Sequence, residues 1–290
     1  MADIIKKNKG KFYVLLSAFL YGLAPILAKY TYQGGANGIT LTFLRAAITA
    51  PLLFVLMRAD RTSIYVSKTD IRKIILLGFF GGTVPIGLLY LSYNYIAAGL
   101  ATTLHFIYPL VIVLASAFIY HEKVTPLKLL SVMLVTIGII LFVEIETNAD
   151  KIGVILALLS GIFYSFYVLY LDKSGLDHMD YIKLTFYMTL TMSATTLIFG
   201  LAVNEINFDM TAQAWAYAGL ISIIITVFAT PLFQVGVKYE GASTAGVLST
   251  FEPITTTALG FAFLGEHIGI VQLAGGLVII SGLVLAEKYG

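Results

Sequence analysis

GLATTLHFIYPLVIVLASAFIYHE, residues 99–122, is an apolar stretch with one histidine, a proline near its middle and a glutamate at its end. A second copy, GASTAGVLSTFEPITTTALGFAFLGE, spans 241–266. At an offset of 144, Ala101 meets Ala245, Pro109 meets Pro253 and Glu122 meets Glu266. Twelve residues lie between proline and glutamate in both. In the second copy a carboxylate, Glu252, stands beside the proline; in the first the same place holds Tyr108.

The flanking sequence explains how such stretches are accommodated. The chain has 290 residues, 59% of them hydrophobic and 12% charged, with a mean hydropathy of +0.91. That much apolar surface is at odds with a soluble domain. The charges leave long windows nearly free of Asp, Glu, Lys and Arg, long enough to cross ~30 Å of hydrocarbon as helices. A β-barrel would need polar residues at alternate positions, and runs 197–203 and 219–227 do not alternate. Zero cysteines exclude disulfides and Cys-ligated metals, and a net charge of +2 gives no footing for nucleic acid. The basic N-terminus preceding an apolar run has the order of a signal peptide, but the run over 12–30 is long and has an internal counterpart. It reads as a retained first helix.

Ten spans are predicted: 12–32, 37–57, 71–96, 100–120, 127–145, 152–171, 180–203, 213–237, 242–264 and 268–286. The joints are too short to hold a soluble domain. Lys and Arg near the span ends fix the orientation. Fifteen fall on one set of alternate sides, from Lys6, Lys7, Lys9 and Lys11 through Arg58, Lys73, Lys128 and Lys173 to Lys288; the other set has only Lys29 and Lys151. Both termini are therefore expected in the cytoplasm, with the protein multi-pass in the plasma (inner) membrane.

Leu15-Leu16-Ser17 and Tyr21 return as Leu158-Leu159-Ser160 and Tyr164 at an offset of 143; Tyr95 and Gly138 return as Tyr239 and Gly282 at 144. Residues 10–146 and 152–288 thus read as two five-helix copies. Five is odd, so the second copy enters from the opposite side and the repeats are inverted. Inverted repeats with a mid-membrane site characterise many secondary transporters. Duplication in a non-transporting membrane enzyme or receptor is the alternative.

These features resemble the drug/metabolite transporter superfamily, EamA type. The resemblance rests on the paired small-residue starts, Pro109 and Pro253 in mid-helix, Glu122 and Glu266 at the ends, and the opening LLSAFLYG at 15–22. It covers nearly the whole chain. It implies an all-α integral membrane fold of ten helices in two inverted EamA repeats, with a cavity lined by helices 1–4 and 6–9 and with helices 5 and 10 as outer supports. It also implies secondary transport of a small metabolite by alternating access, with export the commoner direction. Relatives of this type carry amino acids, nucleobases, choline-like amines, sugars and drugs.

An ionisable group in hydrocarbon is costly and so draws attention. Glu252, near mid-depth of its span, is a candidate for a cationic or amino group or for a coupling proton; the bland reading pairs it with Arg45 or with backbone donors freed by Pro253. His105 is a candidate proton site or substrate donor, or else a neutral bridge between helices. If His105 faces a cavity, Tyr108 should lie close to it. Arg45 suits a substrate carboxylate or a structural acid. Tyr21, Tyr90, Tyr164 and Tyr167, with the amides Asn94 and Gln234, complete the expected substrate-binding set, tyrosine offering a π face and a hydroxyl. Pro109 and Pro253, with Arg45, His105 and Glu252, are the expected gating and coupling residues. The expected substrate is an amino acid or amine; import of a cationic or nucleobase metabolite is the alternative. No GxxxxGK[ST], HExxH or GxSxG motif is present. No enzyme activity and no cofactor are expected. The expected partners are the substrate, the lipid bilayer and a proton as candidate coupling ion, with the chain a monomer or homodimer.

The orientation is directly testable in bacterial cells. Green fluorescent protein fused after Gly290 should fluoresce and alkaline phosphatase fused there should be inactive; active phosphatase would reverse the assignment.

Overall fold

Where no water is present, a backbone must satisfy its own polar groups, and a helix does so within one segment. The computed structural model describes residues 9–96, 98–142, 150–264 and 269–289, and every regular element among them is helical. The first run joins α1 (Lys9–Tyr21) to α2 (Ala24–Gln33). α3 (Gly38–Ala59) follows, then α4 (Lys68–Gly78) and α5 (Val84–Ser92), joined by a π-helical turn at Phe79–Thr83. α6 (Ala98–His105) and α7 (Tyr108–Phe118) form one broken span, and α8 (Pro126–Phe142) ends the first half. The second half holds α9 (Lys151–Lys173), α10 (Tyr181–Ala202), α11 (Ala212–Ile221), a π segment at Ser222–Ala229, α12 (Thr230–Leu248), α13 (Phe251–Leu264) and α14 (Ile270–Tyr289). Seven helical runs among the described residues are long and apolar enough to cross a membrane, and α8 and α14 contain shorter apolar stretches. Glu266, Lys6, Lys7 and the joint at 143–149 lie outside the described residues.

Short polar side chains start these helices by accepting an orphan N–H of the first turn. Asn37 Oδ1 accepts from Thr40 N at 2.8 Å, Ser67 Oγ from Asp70 N at 3.0 Å and Asp150 Oδ1 from Ile152 N at 2.7 Å. Prolines set the breaks. The helix opens at 22–23 before Pro25, at 106–107 before Pro109 and at 249–250 before Pro253. Proline lacks the N–H and its ring crowds the preceding turn, so the disturbance falls just ahead of it. The two π segments likewise precede Pro85 and Pro231. The longest run, Ala212–Leu248, is divided at Gly241, whose φ of 75° suits a residue without Cβ. This glycine separates the predicted eighth and ninth spans.

The outward surface is apolar: Val55, Phe118, Ile198 and Leu277 each expose more than half of their area. A surface of this kind fits lipid. α8 and α14 pack closely along small residues. Gly138 lies against Ile279 and the Gly275 carbonyl, and Gly282 lies against Val135 and the Ser131 carbonyl. The two sets exchange at a displacement of 144, and their order makes the helices antiparallel. A like exchange, at the offset of 143 for the first and sixth spans and 144 for the third and eighth, relates Gly10 against Tyr239 to Gly153 against Tyr95.

A Cβ at Gly138 would sit 2.8 Å from Gly275 O, and one at Gly282 would sit 2.8 Å from Ser131 O. Gly138→Ala or Gly282→Ala should therefore destabilise by about 1–3 kcal/mol, read as a lowered thermal midpoint in detergent. Gly87→Ala, with nothing within 4 Å, is the control; an equal loss there would contradict the packing account.

Candidate functional site

The broken helices surround a cavity of about 110 Å³ in the middle of the bundle. An apolar cavity of roughly this size takes a benzene-sized guest. Here the walls also carry charge. Arg45 projects from α3 and Glu252 from the first turn of α13, and both line the space. Arg45 Nε donates to Thr226 Oγ1 at 2.9 Å, and Thr49 Oγ1 donates to Arg45 O at 2.6 Å. Among the described residues Glu252 makes no side-chain hydrogen bond and no direct ion pair with Arg45. The permanent Arg45–Glu252 pair weighed from sequence is therefore not present in this conformation. The Arg45 and Glu252 side chains instead face one cavity with no direct bond between them.

Aromatic rings form the remaining wall. Tyr164 on α9 stands between His105, at 5.2 Å between ring centroids, Tyr108 at 4.8 Å and Tyr167 at 5.4 Å. His105 and Tyr108 are 5.4 Å apart, as their spacing on one stripe predicts. The Tyr21 hydroxyl is 2.9 Å from Thr230 Oγ1, which donates to Ile225 O. Tyr93 pairs with Thr102 at 3.1 Å. Tyr90 lines the cavity, and its buried hydroxyl finds no partner among the described residues. The Tyr32 hydroxyl, packed in the same cluster, also finds none. Buried polar groups usually have a partner, so these two hydroxyls are exceptions among the described residues.

His105 Nδ1 lies 2.8 Å from Ser160 Oγ, which donates to Ala157 O at 2.6 Å. Ser160 has one hydrogen, so this network assigns the imidazole hydrogen to Nδ1 and leaves a lone pair on Nε2.

The cavity floor is the crossing of α7 with the end of α12. Ser249 Oγ donates to Gly246 O at 2.8 Å, so the Tyr108 hydroxyl donates to Ser249 Oγ at 2.5 Å. Gly246 packs on Ile112 and Pro109, and Ser243 Oγ donates to Ser116 Oγ at 3.0 Å. Lys128 Nζ donates to Thr244 Oγ1 at 3.2 Å, and Lys173 bridges Glu122 and Asp172. Burial pushes the Glu122 carboxyl up, but the hydrogen bond and charge of Lys173 outweigh it and hold it below its ordinary range. These contacts close the half of the bundle that carries the lysine-rich loops. On the other half the partners diverge: His105 turns to α9, while Thr256 donates to Gly22 O on the first run at 3.1 Å.

Of the expected site residues, Tyr21, Tyr90, His105, Tyr108, Tyr164, Tyr167, Arg45 and Glu252 line one cavity. Two other expected residues lie outside this lining. Asn94 follows the end of α5 in an exposed turn and is not in the lining. Gln234 is fully buried behind the wall, where it accepts from Thr185 and donates to Tyr167 at 3.4 Å. Pro109 and Pro253 act through the breaks ahead of them. Thr102, Thr226, Thr230 and Met188 also line the cavity and were not expected. Single threonines and methionines in apolar helices leave no periodic signal; only the i, i+4 spacing of Thr226 and Thr230 ahead of Pro231 hints at a shared face.

The comparisons with known proteins agree with this architecture. The family model of the EamA-like transporters matches twice, over residues 8–144 and 151–287. A transporter of Archaeoglobus fulgidus, itself named uncharacterised, is 25% identical over 96% of both chains. The uncharacterised transporter YcbK of Bacillus subtilis is 27% identical over 92% of this chain and 88% of its own. The uncharacterised inner membrane transporter YicL of Salmonella typhimurium is 24% identical over 96% and 95%. A solved crystal structure superposes with a TM-score of 0.83, covering 97% of this chain and 98% of its own at 16% identity, a likeness of fold alone. With two matched repeats spanning nearly its whole length, this multi-pass membrane protein belongs to the EamA-like transporter family.

Proposed function

We propose that the chain is a secondary active transporter of the inner membrane that moves a zwitterionic amino acid, or a related amine, by alternating access. The observation that supports this most is the unpaired Arg45 and Glu252 facing one cavity. Leaving two opposite charges apart in a low-dielectric space is costly. A ligand carrying both a carboxylate and an ammonium group offsets that cost at both ends. The tyrosine wall adds cation–π attraction worth about 0.5–2 kcal/mol, and Tyr90 adds a hydroxyl.

Alternating access is supported by the inverted order of the two halves and by the weakness of the closed side. Three side-chain hydrogen bonds, at about 0.5–1.5 kcal/mol each, and one half-exposed ion pair, at about 0–1 kcal/mol, join α7 and α8 with their flanks to α12 and α9. A difference in ligand affinity between two states can overcome a few kcal/mol. Ten spans, with both termini in the cytoplasm and the lysine-rich face inward, place the closed side toward the cytoplasm. Export rests on the family resemblance, and a proton is the proposed coupling ion because Glu252 and His105 are the exchangeable groups beside the ligand.

Amine transport without carboxylate recognition is the second reading, favoured by the bond that already occupies Arg45 Nε. Counterflow in proteoliposomes separates the two. For a neutral amino acid, Arg45→Gln should cost about 10–100-fold in apparent affinity, the range of one charged hydrogen bond, while exchange of the corresponding decarboxylated amine is unchanged. Equal losses for both would favour a structural arginine, and no counterflow of any amino acid, amine or nucleobase would sink the transport reading. Tyr90→Phe removes only the unpartnered hydroxyl; it should raise the half-saturating concentration about three- to tenfold, roughly 0.5–1.5 kcal/mol, without lowering the amount of folded protein.

A further inference from the structure

The crossing of α7 and α12 is an antiparallel ladder that stops partway. Its rungs are Ser116 with Ser243, Ile112 with Gly246, and Tyr108 with Ser249. One step further along the same two chains stand His105 and Glu252. Both line the cavity, and no hydrogen bond or ion pair among the described residues joins them. The ladder ends there because α6 leans toward α9 and α13 toward the first run.

The internal repeat says what the missing rungs are. In a pair of inverted copies, a contact between position i of the first and j of the second has a counterpart between j−144 and i+144. Where the packing is symmetric, both members are present: Gly138 with Ile279 and Val135 with Gly282 occur together. At the crossing only one member is present. Exchanging Tyr108 and Ser249 gives positions 252 and 105. Exchanging Ile112 and Gly246 gives positions 256 and 102. The counterpart of the Tyr108–Ser249 bond is therefore a bond between Glu252 and His105, and that of Ile112 on Gly246 is Thr102 against Thr256.

We propose that in the opposite conformation His105 and Glu252 bond directly to each other, closing the far half of the cavity while Tyr108 and Ser249 part. This rests on the alternating-access reading above and assigns the contact that holds its second state. The chemistry suits the role. His105 Nε2 has a lone pair in the network described, and Glu252 has no partner to surrender. Closing takes up one proton from the aqueous side, held between Nε2 of His105 and the Glu252 carboxylate, so the closed pair buries no net charge. Arg45, Tyr21, Tyr93, Tyr108 and Tyr164 border the same space; among them Arg45 is the group that competes with His105 for the carboxylate. A ligand ammonium on Glu252 and His105 on Glu252 exclude each other, so a loaded carrier does not close on this pair in the same way as an empty one.

The chain has no cysteine, so disulfide trapping needs no background changes. In membranes treated with copper phenanthroline, Ser116→Cys/Ser243→Cys should cross-link and report the conformation described here. Thr102→Cys/Thr256→Cys should also cross-link and report the opposite one. Adding His105→Ala or Glu252→Gln to the second pair should slow its cross-linking about tenfold, and the two together should slow it no more than either alone. Cross-linking at 116 and 243 in the same backgrounds should persist, showing that the variants fold. A 102–256 rate unmoved by either substitution, or two losses that multiply, would overturn the pairing and leave alternating access standing. Cross-linking confined to 116 and 243 under all conditions would overturn alternating access itself, and the pairing with it.

Discussion

Proline cannot donate the hydrogen bond that keeps a helix continuous, and in this chain that defect is placed twice, at equivalent points of two facing helices. The breaks before Pro109 and Pro253 let each helix change direction at mid-depth. One half of each can then meet its partner while the other half leans away. The floor at Tyr108 and Ser249, the cavity above it and the exposure of Glu252 all follow from this geometry. A straight pair of helices at the same crossing would leave no space for a ligand, or would leave no closed side.

The remaining helices form a frame around this crossing. α8 with α14, and the contacts of Gly10 and Gly153, obey the exchange between the two halves. α3 and α10 are clamped at both ends: Lys183 and Tyr187 donate to the 64–65 carbonyls on the lysine-rich face, while Asn37 donates to Glu205 O and Asn207 to Gly35 O on the other. Contacts that satisfy the repeat symmetry can persist through a change of state. Those that break it, at Ser116, Tyr108, His105 and Thr256, are the ones that the proposed alternating access requires to change.

Much of this was legible in the sequence because polar groups in hydrocarbon are few. Glu252, Arg45, His105 and the mid-span tyrosines stood out against apolar neighbours, and eight of these expected residues share one cavity. The repeat register, carried by Pro109 and Pro253, was equally plain. Gln234 shows the limit. It is the repeat equivalent of Tyr90, yet Tyr90 lines the cavity while Gln234 is buried with Thr185 and Tyr167. Sequence symmetry relates the two halves, but the conformation described sets equivalent residues in unequal surroundings. Asn94 lies elsewhere for a simpler reason: helix α5 ends at Ser92, so Asn94 falls in the exposed turn beyond it and off the helical stripe of Tyr90. The threonines at 102, 226 and 230 carried no contrast with their surroundings.

The central claim is that one cavity between the two broken helices is reached from both sides of the membrane in turn. Met192 lines that cavity from α10 and is largely buried. A cysteine at position 192 in this otherwise cysteine-free chain, exposed to a membrane-impermeant maleimide, tests the claim directly. Labelling in intact cells and again in inverted vesicles, with the rate from the lysine-rich side falling when Ser116→Cys/Ser243→Cys is oxidised, is the predicted result. Labelling from one side alone under every condition, or from neither, would contradict the account.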